Sequence, residues 1–186
     1  MSRYVLTGTP GAGKTAIIRQ LECDGYRVVE EAATDVIALG QALGLSQPES
    51  EQEFIGKILA LQRRRERQAT TGAPGTDGSP VFFDRSQVCT LALSRYLGLP
   101  DCAQLTAEVD RVMADRVYCR TVFIVRNRGA VVPTAARRIS LADSLVFEHL
   151  HEQVYAELGF RLVDVPAGPL ARRAALIRAT LAADAR

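Results

Sequence analysis

The segment GTPGAGKT, Gly8–Thr15, has the residue types and the spacing of a loop that binds nucleotide phosphates. Its glycines allow successive backbone N–H groups to turn inward and surround an anion at the N-terminus of the helix that should follow. The Lys14 ammonium can then reach the β- and γ-phosphates, and the Thr15 hydroxyl can ligate Mg²⁺. We therefore expect ATP and Mg²⁺ as cofactors. The expected nucleotide contacts are Gly8, Pro10, Gly11, Ala12, Gly13, Lys14, Thr15 and Ala16.

Asp84 stands directly after the apolar run Val81–Phe83, where a phosphoryl-transfer site usually places its second metal ligand. The next residue is Arg85, whereas motor-type ATPases usually carry a glutamate there to polarise the attacking water. This favours a site in which Asp84 holds Mg²⁺ together with Thr15, or acts as general base toward an acceptor hydroxyl, while Arg85 neutralises phosphate charge. Asp84 is also placed to cap the helix that should begin near Ser86, and the two roles are compatible.

Glu31 ends the second predicted strand and should lie at the carboxyl edge of the sheet, where open α/β folds bind ligands. Its carboxylate is expected to accept hydrogen bonds from a substrate hydroxyl, or else to interact with the N-terminal dipole of the helix that begins at Ala32. The residue types leave both roles open.

A connection rich in arginine, about residues 126–140, follows the fourth predicted strand. In a kinase-like domain this is the place of a lid, whose guanidinium groups stabilise the transferring phosphoryl group and exclude water. The alternative is a solvated basic loop. We expect catalytic contacts from Arg137 and Arg138, which lie just ahead of the next helix, and substrate contacts from Arg126 and Arg128.

Short apolar runs alternate with helical patterns along the chain. Strands are predicted at Tyr4–Leu6, Arg27–Glu30, Val81–Phe83, Thr121–Val125 and from Arg161, and helices over Lys14–Leu21, Ala32–Leu43, Pro48 to about Ala69, Ser86–Leu97, Gln104–Ala114, Leu141–Leu158 and up to about Ala182. This alternation is typical of parallel βαβ units with helices on both faces of the sheet, a three-layer α/β fold. Because the chain has 186 residues and no linker, residues 1–186 are expected to form a single domain.

The composition is that of a soluble globular domain, with 47% hydrophobic and 24% charged residues. A formal net charge of +2 is too small to indicate polyanion binding, and no aromatic residues are interleaved with the arginines, so a nucleic-acid partner is not expected. His149 and His151 stand two residues apart in a helical pattern, which does not favour a metal site. The four cysteines form no CxxC pair, and no stretch approaches the length of a membrane span. We therefore expect a cytoplasmic protein with no membrane partner.

Five segments taken together resemble a known family: GTPGAGKT, EEAATDVI, EFIGKILALQRRRE, VFFDRS and HLHEQVYAELGFRLVDVP. They are similar to the AAA-type P-loop family related to the ribosylnicotinamide kinase domain, over about residues 3–180. The resemblance implies a P-loop kinase-like NTPase fold that binds ATP and Mg²⁺, with a parallel five-stranded sheet of order 2-3-1-4-5. Relatives often carry an arginine after the EAA segment, whereas Thr34 stands here.

These observations predict an ATP-dependent kinase that moves the γ-phosphate to a hydroxyl of a small molecule, such as a nucleoside or a sugar-like metabolite. The acceptor would lie between Glu31, Asp84 and Arg85, under the arginine-rich lid. The alternative is a nucleotide-dependent regulatory ATPase or switch, in which bound Mg·ATP orders the lid for a protein partner. Arg85 in place of a glutamate favours the kinase.

Overall fold

Five parallel strands form the centre of the protein, and helices cover both faces of the sheet they make. The computed structural model describes residues 1–50, 53–70, 78–100, 102–127, 129 and 140–184. In chain order the elements are β1 Arg3–Thr7, α1 Lys14–Cys23, β2 Arg27–Val29, α2 Ala32–Ala42, a 3₁₀ turn Pro48–Ser50, α3 Phe54–Thr70, β3 Val81–Asp84, α4 Gln87–Tyr96, α5 Ala103–Ala114, β4 Thr121–Val125, α6 Leu141–Glu157, β5 Arg161–Val165 and α7 Leu170–Asp184.

The strand order is β2-β3-β1-β4-β5, which confirms the predicted fold class and topology. The strands β1 and β3 pair in register, with Leu6 opposite Asp84, and β1 pairs β4 with Thr7 opposite Ile124. Every residue of β3 and β4 is buried, as their continuous apolar sequences predict for strands covered on both faces. The carboxyl ends of β1, β3 and β4 therefore meet at one edge of the sheet.

Alternate residues of the central strands face different helix layers, because side chains point to opposite faces along a strand. Tyr4 and Leu6 pack with Ile17 of α1 and Ile177 of α7 in one hydrophobic cluster. Val5 packs in another, on α4 and α6. A third cluster joins α2, α3 and α5.

The long helix begins at Phe54, so the prediction that it starts at Pro48 is wrong. Residues Pro48–Ser50 form a single 3₁₀ turn instead. Pro48 is buried against α2 at Gly40, where a Cβ would lie 2.6 Å from the proline ring. The contact with α2 holds Pro48 in this turn, outside α3. Within the described part of the chain, no helix combines the length and apolar character needed to cross a membrane.

Candidate active site

The loop between β1 and α1 has the backbone shape that binds phosphate. Gly8, Gly11 and Gly13 have φ values of 127°, 80° and 91°, which L side chains rarely adopt. At Gly8 a Cβ would also lie 2.3 Å from the Val125 carbonyl oxygen of β4, so only glycine fits. Gly13 is the N-cap of α1, and the loop therefore surrounds the positive end of that helix.

The Lys14 side chain is buried inside this loop. Its Nζ donates hydrogen bonds to the carbonyl oxygens of Gly8, at 2.9 Å, and Thr9, at 2.8 Å. Thr9 in turn accepts a hydrogen bond from the Asn127 side chain at 3.3 Å, just after β4. The ammonium is thus held at the centre of the phosphate-binding loop, where it can compensate phosphate charge.

Thr15 and Asp84 lie on the wall of one cavity of about 260 Å³ beside this loop. Asp84 ends β3 opposite Leu6, so its carboxylate stands at the same sheet edge as the loop. A hydroxyl and a carboxylate are hard oxygen donors of the kind Mg²⁺ prefers. The donor set therefore fits the predicted metal ligands, Thr15 and Asp84, whose role stays a prediction.

Arg85 occupies a strained position at the turn from β3 into α4. Its φ is 72°, in the left-handed region, and its backbone N–H donates to the Leu6 carbonyl oxygen at 3.0 Å. The guanidinium is buried and its Nε lies 2.5 Å from Glu31 Oε1. Burial has the largest single effect and would lower the pKa of Arg85, but the Glu31 charge and its hydrogen bond, together with Cys89 and Asp84, raise that pKa above its ordinary value. The side chain is therefore a fixed positive charge.

Glu31 has both carboxylate oxygens engaged, one by Arg85 and the other by Thr34, whose hydroxyl donates at 2.8 Å. Its backbone is the N-cap of α2, without a side-chain cap hydrogen bond. Thr34 lies in the first turn of α2, so the carboxylate stays at this helix end, and the substrate contact of Glu31 stays a prediction.

A second cavity, of about 290 Å³, is lined by both Glu31 and Arg85. Its walls are mostly apolar and aromatic and include Phe54, Tyr96 and Phe147. Polar groups also line it: Thr90 donates to the Gln62 side-chain oxygen at 3.0 Å and so fixes that amide. We call this the acceptor cavity.

Glu31 and Thr34 line the acceptor cavity and also the cavity that contains Thr15 and Asp84. The two cavities therefore lie next to each other at Glu31 and Thr34. A group held in one can approach a phosphate held beside the other, with Arg85 next to the junction. This arrangement suits the transfer of a group between two bound molecules.

Arg126 is bound by carboxylates at the end of β4. It forms ion pairs with Glu148, at 3.1 Å, and Glu152 of α6 and with Asp164 of β5, at 2.5 Å. These contacts hold the start of the connection after β4 to its neighbours, and the substrate contact of Arg126 stays a prediction. The other arginines expected in this connection, Arg128, Arg137 and Arg138, lie outside the described residues.

Three residues that support the site were missed from the sequence. Arg65 of α3 donates to the carbonyl oxygens of Glu30, at 3.1 Å, and Glu31, at 2.8 Å, and so fixes the segment that carries Glu31. Arg173 of α7 donates to the Ala12 carbonyl oxygen of the phosphate-binding loop at 2.7 Å. His151 of α6 contacts Arg85. Each comes from a part of the chain far from its partner, and spacing along the sequence gives no signal for such contacts.

A parallel sheet of this order, with the GTPGAGKT loop after its first strand, defines a P-loop NTPase of the kinase-like group. The chain belongs to the AAA domain family, whose sequence model matches residues 3–173. No curated protein sequence is significantly similar to it.

Solved structures of similar fold include nucleoside and nucleotide kinases. Deoxyadenosine kinase from M. mycoides, with the products dCMP and dCDP bound, has 17% sequence identity and a TM-score of 0.65 over 97% of this chain and 99% of that one. NadR in complex with NAD and AMP-PNP has 16% identity and a TM-score of 0.67 over 96% of this chain and 48% of NadR. Thymidylate kinase from Candida albicans has 11% identity and a TM-score of 0.61, covering 98% and 92%. At these identities the likeness establishes the fold.

Proposed function

We propose that this protein is a kinase that transfers the γ-phosphate of Mg·ATP to a hydroxyl group of a small neutral molecule, with nucleosides as the favoured class. The observation that carries the proposal is the position of Glu31, which lines both the cavity beside the phosphate-binding loop and the acceptor cavity. Solved structures of similar fold whose names describe them as deoxyadenosine kinase and thymidylate kinase also support a kinase.

In the proposed reaction ATP binds on the phosphate-binding loop, with Lys14 compensating phosphate charge. Mg²⁺, which would be held by Thr15 and Asp84, neutralises charge on the phosphates when bound. The acceptor hydroxyl gives its proton to the Glu31 carboxylate as its oxygen bonds to the γ-phosphorus, and the bond from that phosphorus to the ADP oxygen breaks. Arg85 stabilises the charge on the transferring group.

The charges around the acceptor cavity favour a neutral acceptor over a phosphomonoester. Among the described residues that line it, Arg85 is the one cationic side chain, and it is paired with Glu31. Glu31 and Glu49 are the carboxylates there. A second phosphate in this space would add negative charge beside carboxylates, at a cost in a partly buried site.

The aromatic walls favour a flat group on the acceptor. Tyr96 and Phe147 stand with ring centroids 4.7 Å apart at one side, and Phe54 lies in the same lining. Nucleobases stack on such rings, and the amide of Gln62 offers donors and an acceptor to a base edge. A nucleoside combines such a base with the hydroxyl that the reaction needs.

The proposal is tested by incubating the purified protein with Mg·ATP and a panel of nucleosides, nucleoside monophosphates and sugars, with detection of phosphorylated product and ADP. We expect nucleosides to be phosphorylated, and Glu31→Gln to lower kcat by about 10²- to 10⁴-fold, the usual contribution of a positioned base. Glu53→Gln changes an exposed carboxylate just before α3 that pairs with Lys57, and it should leave kcat unaltered.

Product formed only from monophosphates would overturn the neutral acceptor. ATP hydrolysis that no small acceptor stimulates, with no phosphorylated product, would overturn the kinase and favour the regulatory ATPase. Equal activity of Glu31→Gln and the wild-type protein would remove Glu31 from the proposed reaction.

A further inference from the structure

His151 is a fully buried residue whose imidazole lies beside Arg85. It belongs to α6 and has no exposed surface. Its Nε2 is 3.0 Å from Arg85 Nη1, and its Nδ1 is 2.7 Å from the Phe147 carbonyl oxygen one turn earlier in α6. The proposed reaction does not use this residue directly.

The two contacts determine where the imidazole carries its proton. A carbonyl oxygen can only accept a hydrogen bond, so Nδ1 must donate to Phe147 and bear the hydrogen. The guanidinium can only donate, so Nε2 must accept from Arg85 through its lone pair. His151 therefore has to be neutral to make both contacts.

The surroundings keep the imidazole neutral. Burial lowers the pKa of His151 well below its ordinary value, and the positive charges of Arg85 and Lys14 lower it further. The Phe147 carbonyl and the Glu31 carboxylate act in the opposite direction and do not reverse the shift. The contact with Arg85 is therefore present throughout the neutral pH range.

The Arg85 guanidinium is contacted from several sides. His151 of α6 contributes a hydrogen bond. Glu31 engages Nε, and the Phe147 ring lies under the guanidinium with its centroid 5.9 Å from the central carbon. The Phe147 and His151 rings are themselves packed, with centroids 4.3 Å apart. Because a guanidinium is planar, hydrogen bonds or ion pairs that fix two of its edges also fix the direction of its third edge.

We propose that His151 is a positioning residue that acts through Arg85: its neutral imidazole accepts a hydrogen bond from the guanidinium and thereby fixes the plane in which Arg85 faces the Glu31 carboxylate and the acceptor cavity. The inference rests on the proposed kinase function for its effect on turnover. The hydrogen bond from Arg85 to His151 can be tested by itself, without measuring turnover.

The first experiment compares His151→Leu with His151→Gln in the nucleoside kinase assay. Leucine removes the acceptor, whereas glutamine carries an oxygen at about the reach of Nε2. We expect kcat to fall by about tenfold or more for leucine, the usual effect of losing a hydrogen bond to a charged group, with KM for Mg·ATP nearly unchanged, and glutamine to restore most of kcat. The exposed His149→Gln is the control and should leave kcat unaltered.

Equal losses for leucine and glutamine, or an unaltered kcat for leucine, would overturn the positioning role. A rise in KM for Mg·ATP with kcat unaltered would do so as well. A wild-type protein that transfers no phosphate would defeat the proposed function, and the second experiment then decides the contact by itself.

The second experiment measures the ring-nitrogen NMR shifts of His151, which are simple to assign because the chain contains two histidines and the His149→Gln variant leaves one. We expect Nδ1 to be protonated and Nε2 to be an unprotonated acceptor at neutral pH, and we expect the Nε2 shift to move in an Arg85→Met variant. A proton on Nε2, or an Nε2 shift that Arg85→Met leaves in place, would overturn the inference.

Discussion

Lys14 is one of two lysines among 23 basic residues, and it is the one that stands in the phosphate-binding loop. Its buried ammonium is bound to two backbone carbonyl oxygens of the same loop. A compact ammonium on a flexible stem fits this confined space, whereas the broad planar fork of arginine does not. At the scale of single residues, a lysine at this position of an arginine-rich chain therefore has a chemical reason.

We expect Lys14→Met to weaken Mg·ATP binding by about tenfold or more, because a charged hydrogen-bond donor to phosphate is lost. Isothermal titration calorimetry with Mg·ATP measures the change. Lys57→Met is the matched control, since Lys57 lies on α3 with half of its side chain exposed and pairs with Glu53 at 3.7 Å. Equal affinities for Lys14→Met and the wild-type protein would contradict the assignment of the loop.

At the scale of elements, α7 is tied to the phosphate-binding loop by Arg173. This buried side chain donates to the carbonyl oxygens of Ala12, at 2.7 Å, and Arg126, at 3.2 Å. It thus joins the loop before α1 to the end of β4, from a helix that follows the last strand. The terminal helix supports the geometry of the nucleotide site as well as the hydrophobic core.

We expect Arg173→Met to raise KM for Mg·ATP by about threefold to thirtyfold and to lower the free energy of unfolding by about 1–3 kcal/mol, because carbonyl oxygens in a buried region lose their donor. Kinetics and urea unfolding measure the two effects. Arg178→Met on the same helix removes a surface ion pair with Asp24 and should change the free energy of unfolding by at most about 1 kcal/mol, with KM unaltered. A destabilised Arg173→Met protein with normal KM would limit the residue to a role in stability.

At the scale of the whole molecule, the buried imidazole links stability to pH. The folded protein keeps the pKa of His151 well below the ordinary value of 6.5, mainly through burial and then through the Arg85 charge, with Lys14 acting in the same direction and Glu31 against it. As the pH falls below about 6.5, the unfolded chain binds a proton at this residue that the folded protein does not. Stability contributed by the neutral imidazole is therefore present above that pH and is lost on acidification.

We expect the free energy of unfolding to decrease below about pH 6.5, with a contribution from His151 of up to about 1.4 kcal/mol per pH unit. Urea unfolding of the wild-type protein and His151→Gln between about pH 5 and pH 8 isolates this contribution, because the other titrating groups are common to both. The wild-type curve should have the steeper slope. Parallel curves would show that His151 is protonated equally in the folded and unfolded states.

The sequence by itself determined the elements and the phosphate-binding loop. Continuous apolar runs marked β3 and β4, because strands covered on both faces leave no polar alternation. The helices followed from their periodicity, apart from the start of α3. The strand order came from resemblance to a family, since residues within a strand do not reveal its neighbours. Asp84 and Glu31 stand out in the sequence because they follow strands that end at the ligand-binding edge.

The tertiary structure decided what surrounds those residues. The contacts of Arg85 with His151 and of Arg173 with Ala12 join parts of the chain separated by 66 and 161 residues, and they depend on how α6 and α7 rotate as they pack on the sheet. The meeting of two cavities at Glu31 depends likewise on the positions of α2, α3 and α4. Local spacing determines an element and the face it buries, whereas packing between distant elements determines which side chains meet.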